Sequence, residues 1–337
     1  MECGREQTAH QQVVRELPTS GSKQTSRSRL VANKGVAFQG SIVLGKGFVL
    51  SPQQAEDLIQ RDPRNKDVLF PYLNGEDLNS RPDCSASRWV INFHDWPEER
   101  AREHPEIFAH VERHVKPERL KVKHSKNARE KWWLYERSRP ELYSKISRLD
   151  RVLVVALVSR TVMPARVSSR QVLAHKLAVF TSASDADLAF LSSSFHSCWA
   201  WRNSSTMKSD LNYSPSDVFE TLPRPICTPG MTDAGGRLDQ VRKQVMSARS
   251  LGLTKVYNLV NEPTVGDRDI EELRDCHRTV DMSVAEAYGW TDLILEHGFH
   301  STSQGVRYTF PRLTRTEILD RLLEVNEPFP VTGRCSL

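Results

Sequence analysis

Regular apolar patterning begins near Gly35. Val36, Phe38, Ile42, Leu44 and residues 48–50 form short apolar segments punctuated by Gly40, Gly45 and Gly47, which predicts strands broken by turns. Ser51-Pro52 predicts a helix through Ile59, with Ser51 as N-cap and Pro52 at the first helical position. The turn-forming residues 62–65 end it. Residues 68–72 read as a strand leading into a turn at Asn74-Gly75, and residues 88–93 alternate as another strand. Residues 105–148 are mostly helical, with interruptions near Pro117 and between His124 and Asn127. The longest apolar run, residues 152–158, predicts a strand buried on both faces and central in its sheet; residues 172–180 predict a second. Across 185–201, Leu188, Leu191, Phe195, Cys198 and Trp199 recur at spacings of a buried helix. Residues 211–225 carry three prolines and end the mixed region.

Beyond residues 228–236, read as a linker, the pattern becomes helical. Helices are predicted over 238–261, 269–288 and 314–326, the last with Thr314 and Glu317 as a capping box, and residues 304–309 read as a short strand or hairpin arm. The fold class expected is α+β: a mixed sheet with packed helices over residues 35–225, a linker at 226–236, and a small C-terminal helical unit at 237–326. Residues 1–34, polar and without sustained period, read as a disordered leader, and 327–337 as a tail.

Composition narrows the class. With 337 residues, 38% hydrophobic and 26% charged, the chain has normal globular values. No apolar run reaches the length of a membrane span, and the amino terminus lacks the apolar stretch of a signal peptide. Six scattered cysteines include no CxxC pair, so neither a zinc ribbon nor a disulfide framework is signalled, and the reducing cytoplasm is the expected compartment.

Charge is concentrated. Residues 113–139 hold ten Lys/Arg against three Glu, a surplus of seven that exceeds the chain's formal +5, so the basicity is local. Trp132, Trp133 and Tyr135 lie within it. Such a face suits a phosphate backbone, since each neutralised phosphate releases counterions; the plainer reading is a solvated helix anchored by its tryptophans.

Most catalytic signatures are missing. Gly45-Lys46-Gly47 is too short for a dinucleotide or S-adenosylmethionine loop and reads as a hairpin or bulge. There is no GxxxxGK[ST] motif. Asn261-Glu262-Pro263 and Asn326-Glu327-Pro328 lack the first proline of an amino-methyltransferase loop and read as helix-ending turns. Glu118 with Lys121, or Asp83 with Glu130 and Lys131, could be assembled into a metal-dependent nuclease site, but none sits on alternating strand positions. His110 and His114 are one helical turn apart without a third ligand.

One resemblance is specific. Residues 38–48, 67–79, 88–93, 116–119, 139–143, 151–154 and 213–225, with Trp132-Trp133 and Trp199-Ala200-Trp201, resemble the target-recognition region of MmeI-type (type IIL) restriction-modification enzymes and related adenine-specific DNA methyltransferases of phage defence. Residues 252–258, 287–290 and 297–300 resemble that family's C-terminal helical region. The resemblance implies a module that reads double-stranded DNA and is not catalytic alone. Family members carry an S-adenosylmethionine domain with an Asn-Pro-Pro-Tyr loop upstream, and this sequence shows none. No cofactor is therefore expected in this chain, and S-adenosylmethionine is expected in a partner adenine methyltransferase or a missing segment. The expected setting is cytoplasmic and nucleoid-associated, with no membrane. Within this frame Lys121, Lys123, Lys126, Arg129 and Lys131 are expected to contact the DNA backbone. Arg160, Arg166, Ser168, Ser169 and Arg170, in a segment read as a loop between the central strands, are the base-reading candidates, since arginine pairs with guanine O6/N7. The alternatives are a stand-alone metal-dependent DNA nuclease and a protein-interaction module that docks onto a methyltransferase.

Overall fold

A computed structural model describes residues 28–123, 125–207 and 210–326. The predicted tail, and all of the predicted leader before residue 28, lie outside the described residues. The fold is α+β. Its strands are β1 (Ala37–Gln39), β2 (Val49–Leu50), β3 (Leu69–Leu73), β4 (Arg88–Ile91), β5 (Arg151–Ala156), β6 (Val158–Ser159), β7 (Ala165–Ser168), β8 (Val172–Leu173), β9 (Leu177–Phe180), β10 (Ser205–Met207), β11 (Asp210–Asn212), β12 (Gly298–Thr302) and β13 (Gly305–Thr309).

Two four-stranded sheets organise the chain. The first, in order β1-β9-β5-β7, is antiparallel throughout, and β5 lies inside it with Val152 to Ala156 buried, as its two-sided apolar pattern requires. The second, β2-β4-β3-β8, is antiparallel except for the parallel pair β3–β8. Residues 172–180, predicted as one strand, are two, and they join different sheets: Val172 pairs beside Tyr72, whereas Phe180 faces Leu153. Gly40 crosses close to this bend, where an added Cβ would meet the carbonyl oxygens of Leu173 and Ala174 at 2.4 and 2.3 Å.

Each sheet has its own apolar core. The second sheet packs with the helices Pro52–Arg61 and Pro105–His114, around Phe48, Phe93, Phe108, Trp132 and Tyr135. The first packs against the helices Asp185–Ser192 and Ser194–Asn203 and continues without a break into the C-terminal helices, through Leu188, Trp199, Leu238, Val256, Val284 and Ile318.

Several elements start where local chemistry, rather than apolar period, places them. Ser51 forms a full capping box with Gln54, as predicted from Ser51-Pro52. Asn74-Gly75 is a helix start rather than a turn, because the Asn74 side chain accepts from the amides of Glu76 and Asp77. Residues 228–236, read as a linker, form the cap and opening turns of the helix Pro229–Arg249: Thr228 accepts from the Met231 amide and Pro229 takes the first position. That helix stops at Ser250 in the left-handed region, so the predicted 238–261 helix is two, with Leu253–Val260 as the second. Arg312–Asn326 begins before Thr314, so Thr314 is no cap. The folded part also starts earlier than Gly35, since buried Asn33 donates to the carbonyls of Phe219 and Leu222.

Candidate nucleic-acid interface

The basic segment folds onto the core of the second sheet. Trp132, Trp133 and Tyr135 are buried there, with the Trp133 indole donating to the Trp96 carbonyl at 3.0 Å and the Tyr135 hydroxyl to the Ile91 carbonyl at 2.7 Å. They anchor the segment and leave no aromatic face for stacking. Arg119 is also internal: its guanidinium donates to the carbonyls of Val43 and Leu134, and burial holds its pKa below the usual arginine range. The outward groups are Lys121, Lys123, Lys126 and Lys131, all exposed, on and around the short helices Lys116–Leu120 and Lys126–Glu130. Lys126 pairs loosely with Glu130 at 3.4 Å, and Arg129 ties the turn together by donating to the carbonyls of Val122 and Lys123. Four lysines thus stand on one rigidly anchored segment.

The five base-reading candidates separate. Residues 165–168 form strand β7 rather than a loop, because Ala165 and Val167 turn inward against β5. Alternation then places Arg166 on the opposite face, where it pairs with Asp185 and, at 3.4 Å, with Asp239. Ser169 donates to the Leu149 carbonyl, and exposed Arg170 pairs with Asp150 at 3.0 Å beside exposed Ser168. Arg160 lies far along the other end of the segment, paired with Asp210 of β11 at 3.2 Å. Arg166→Ala is expected to lower stability by about 1–2 kcal/mol, the loss being limited because Lys243 and Arg242 still face Asp239. Urea denaturation checks it, and an unchanged midpoint would count against the ion-pair role.

Arg160 belongs instead to a cleft of about 350 Å³ between the β6–β7 connection, the helix Ser194–Asn203, the helix Arg268–Ala287 and the β12–β13 hairpin. Arg202, Arg307 and Arg315 also line it. Asp281 on its wall is almost fully buried and already engaged, accepting from the Ser194 amide and hydroxyl at 2.7 Å each and bonding the His297 imidazole at 2.9 Å. Burial pushes His277 down, so its imidazole adds no charge at neutral pH. Arg202, Arg307 and Arg315 stand in no dense run of charge in the sequence, and only the tertiary fold brings them to one cleft.

The proposed metal constellations do not form. Glu118 is exposed, Glu130 pairs with Lys126, and Asp83 lies near Arg81. His110 bonds the Gly47 carbonyl. No group of three or more His, Cys, Asp or Glu able to hold a metal occurs among the described residues. The Gly45–Gly47 turn does not fit a cofactor phosphate either: a Cβ at Gly47 would meet the Cβ of His114 at 2.6 Å, so its space is filled by protein. No helix among the described residues is long and apolar enough to cross a membrane.

Residues 24–226, more than half of the chain, match the model of the MmeI target recognition domain. The chain belongs to the MmeI target recognition domain family. The fold agrees: the MmeI-family chain superposes on the type IIL restriction-modification enzyme MmeI, solved in complex with DNA, with a TM-score of 0.61 at 18% identity over 86% of this chain. It spans 35% of that enzyme. The type IIG restriction endonuclease BpuSI is matched over 78% of this chain with a TM-score of 0.30 and 16% identity. No curated protein sequence matches. The β6–β10–β11 sheet and Arg160 fall inside the family match, whereas Arg307 and Arg315 lie beyond it.

Proposed function

We propose that this chain is the specificity module of a restriction-modification or phage-defence adenine-N6 DNA methyltransferase, reading double-stranded DNA and not catalytic alone. The observation that carries this reading is the match to the MmeI target recognition domain over residues 24–226. Lys121, Lys123, Lys126 and Lys131 suit backbone contacts, because they are exposed cations on an anchored segment, and Arg129 holds that segment's turn. Of the base-reading candidates Arg160 is favoured, being exposed at the cleft beside β11; Ser168 and Arg170 are exposed at the far end of β7. Methyl transfer and its S-adenosylmethionine would come from a partner adenine methyltransferase or another segment, and the complex would work on DNA in the cytoplasm.

Salt titration tests it. Binding of the chain to a duplex, with the partner methyltransferase supplied if needed, should weaken steeply with salt, and Lys121→Ala/Lys123→Ala/Lys126→Ala should reduce the log–log slope by about 2–3. Salt-independent affinity, or no binding even with the methyltransferase present, would overturn the reading.

A further inference from the structure

We infer that the cleft bounded by Arg160, Arg202, Arg307 and Arg315 is a second phosphate-binding site, through which the C-terminal hairpin and helix supply part of the grip on duplex DNA. This rests on the DNA-reading assignment above and extends it past residue 226, where the family match ends.

Charge balance within the cleft is the first argument. Four guanidinium groups line it, and the one carboxylate among its lining residues, Asp281, is almost fully buried and held by Ser194 and His297. Asp210 faces Arg160 from β11 but does not reach the cleft's other arginines through any ion pair among the described residues. Arg307 lies within electrostatic reach of Arg160, and among the described residues its guanidinium donates to the Val306 carbonyl. Asp210 offsets part of the Arg160 charge, and the lining carboxylate Asp281 is already engaged, so the four guanidinium groups leave the cleft a surplus of positive charge that an entering anion would offset.

Side-chain geometry is the second. Arg315, on the helix Arg312–Asn326, donates through Nη2 to the Ser301 carbonyl at 3.2 Å, which tethers the hairpin and leaves its buried Nε without a partner. Its fork is thereby held in place with donor capacity to spare. On the antiparallel β12–β13 ribbon, cross-strand pairing puts His300 and Arg307 on one face and Phe299 and Tyr308 on the other. Arg274 and Arg278 stack on the rings of the second face, and the cleft is lined by Thr302, Arg307 and Thr309 from the first face together with Tyr308 from the second. Planar forks match the paired oxygens of a phosphodiester better than a compact ammonium would. The cleft also takes in residues 160–163 of the β6–β7 connection, so a duplex phosphate seated against Arg307 and Arg315 would lie beside Arg160, the favoured base reader.

Salt titration of the full chain on a 30-base-pair mixed-sequence duplex tests the site, with folding of each variant checked by urea denaturation. Arg307→Gln/Arg315→Gln should lower the log–log slope by about 2 and weaken binding about tenfold at 150 mM salt. Arg202→Gln, exposed and at no risk of unfolding the chain, should lower the slope by about 1. Unchanged slopes in both folded variants, while the three-lysine variant still lowers its own, would overturn the cleft and leave the DNA-reading assignment standing. Binding of adenosine monophosphate abolished by Arg307→Gln, with an unaltered duplex slope, would make the cleft a free-nucleotide pocket and also overturn it. No duplex binding by the unmodified chain under any condition would remove both.

Discussion

Gly235→Ala is expected to destabilise the fold by about 3 kcal/mol, whereas Gly236→Ala, one residue on, is expected to stabilise it by about 0.5–1 kcal/mol. Both glycines lie in the helix Pro229–Arg249, where glycine is intrinsically costly relative to alanine. What separates them is the helix Asp185–Ser192, against which this helix packs. At Gly235 an added Cβ would stand 1.9 Å from the Asp185 carbonyl oxygen and 3.1 Å from the Ala189 amide nitrogen, and both are backbone atoms that cannot turn aside. The two helices would have to part along the whole crossing, opening the core around Leu188, Leu238 and Val241. At Gly236 the same atom would meet the Asp185 carboxylate at 3.5 Å, ordinary contact, and the gain in helix propensity survives. Urea denaturation of the two variants reads opposite shifts in midpoint. A pair of equal shifts would mean that the crossing is looser than the Gly235 approach requires. The crossing bears on function too, since Asp185 and Asp239, one from each helix, hold Arg166 on the strand that leads from the cleft.

The same glycines show why part of this fold was legible in the sequence and part was not. Pro229, Gly230, Gly235 and Gly236 have the composition of a linker, and by period alone they were read as one. Proline at a helix's first position and glycine at a tight crossing are both helical uses, but the second is visible only once the partner helix is known. Elements whose signal is local came through well: the two-sided apolar strand β5, the Ser51 cap, and the helix Arg268–Ala287 with its long amphipathic period. Short strands fared worse. Residues 165–168 alternate Ala, Arg, Val, Ser within an arginine-rich stretch, and four residues of alternation do not outweigh their polar surroundings. The candidate site divides in the same way. The lysines at 121–131 are clustered and could be found by charge density, and Trp132 and Trp133, in the turn after the helix Lys126–Glu130, are buried against the core of the second sheet. The arginine cleft draws on residues 160, 202, 307 and 315, and only the fold brings the neighbouring pair Arg307 and Arg315 to Arg160 and Arg202, more than a hundred positions earlier in the chain.

Acid should destabilise this protein through its buried histidines, His196 foremost, before the carboxylates titrate. His196 is fully buried in the helix Ser194–Asn203, beneath the first sheet. Its Nδ1 faces the Leu191 carbonyl at 2.7 Å, which can only accept, so Nδ1 carries the proton and Nε2 accepts from the Tyr213 hydroxyl at 3.0 Å. The neutral imidazole is therefore fully satisfied. Burial makes the charged form costly and pushes the pKa down to about 4, from an ordinary value of 6.5. The unfolded chain then binds the proton first, so stability is complete above pH 6.5 and is lost as pH falls toward 4. At about 1.4 kcal/mol per unit, this one group removes roughly 2 kcal/mol by pH 5 and about 3 kcal/mol by pH 4. Asp269 and Asp292, held low by Arg249 and Arg321, contribute only below that window. His277, bonded to the Tyr257 hydroxyl, is pushed down by burial to about 4 as well and adds a loss of the same sign, and His104, His110 and His175 are lowered by burial in the same direction. His196→Gln should be less stable at pH 7, because a glutamine cannot reproduce both hydrogen bonds in the ring's geometry. Its further loss between pH 7 and pH 5 should nevertheless shrink by about 2 kcal/mol. Denaturant midpoints for both proteins at the two pH values decide the point: parallel losses would move the acid sensitivity away from His196 and onto His277 and the other histidines.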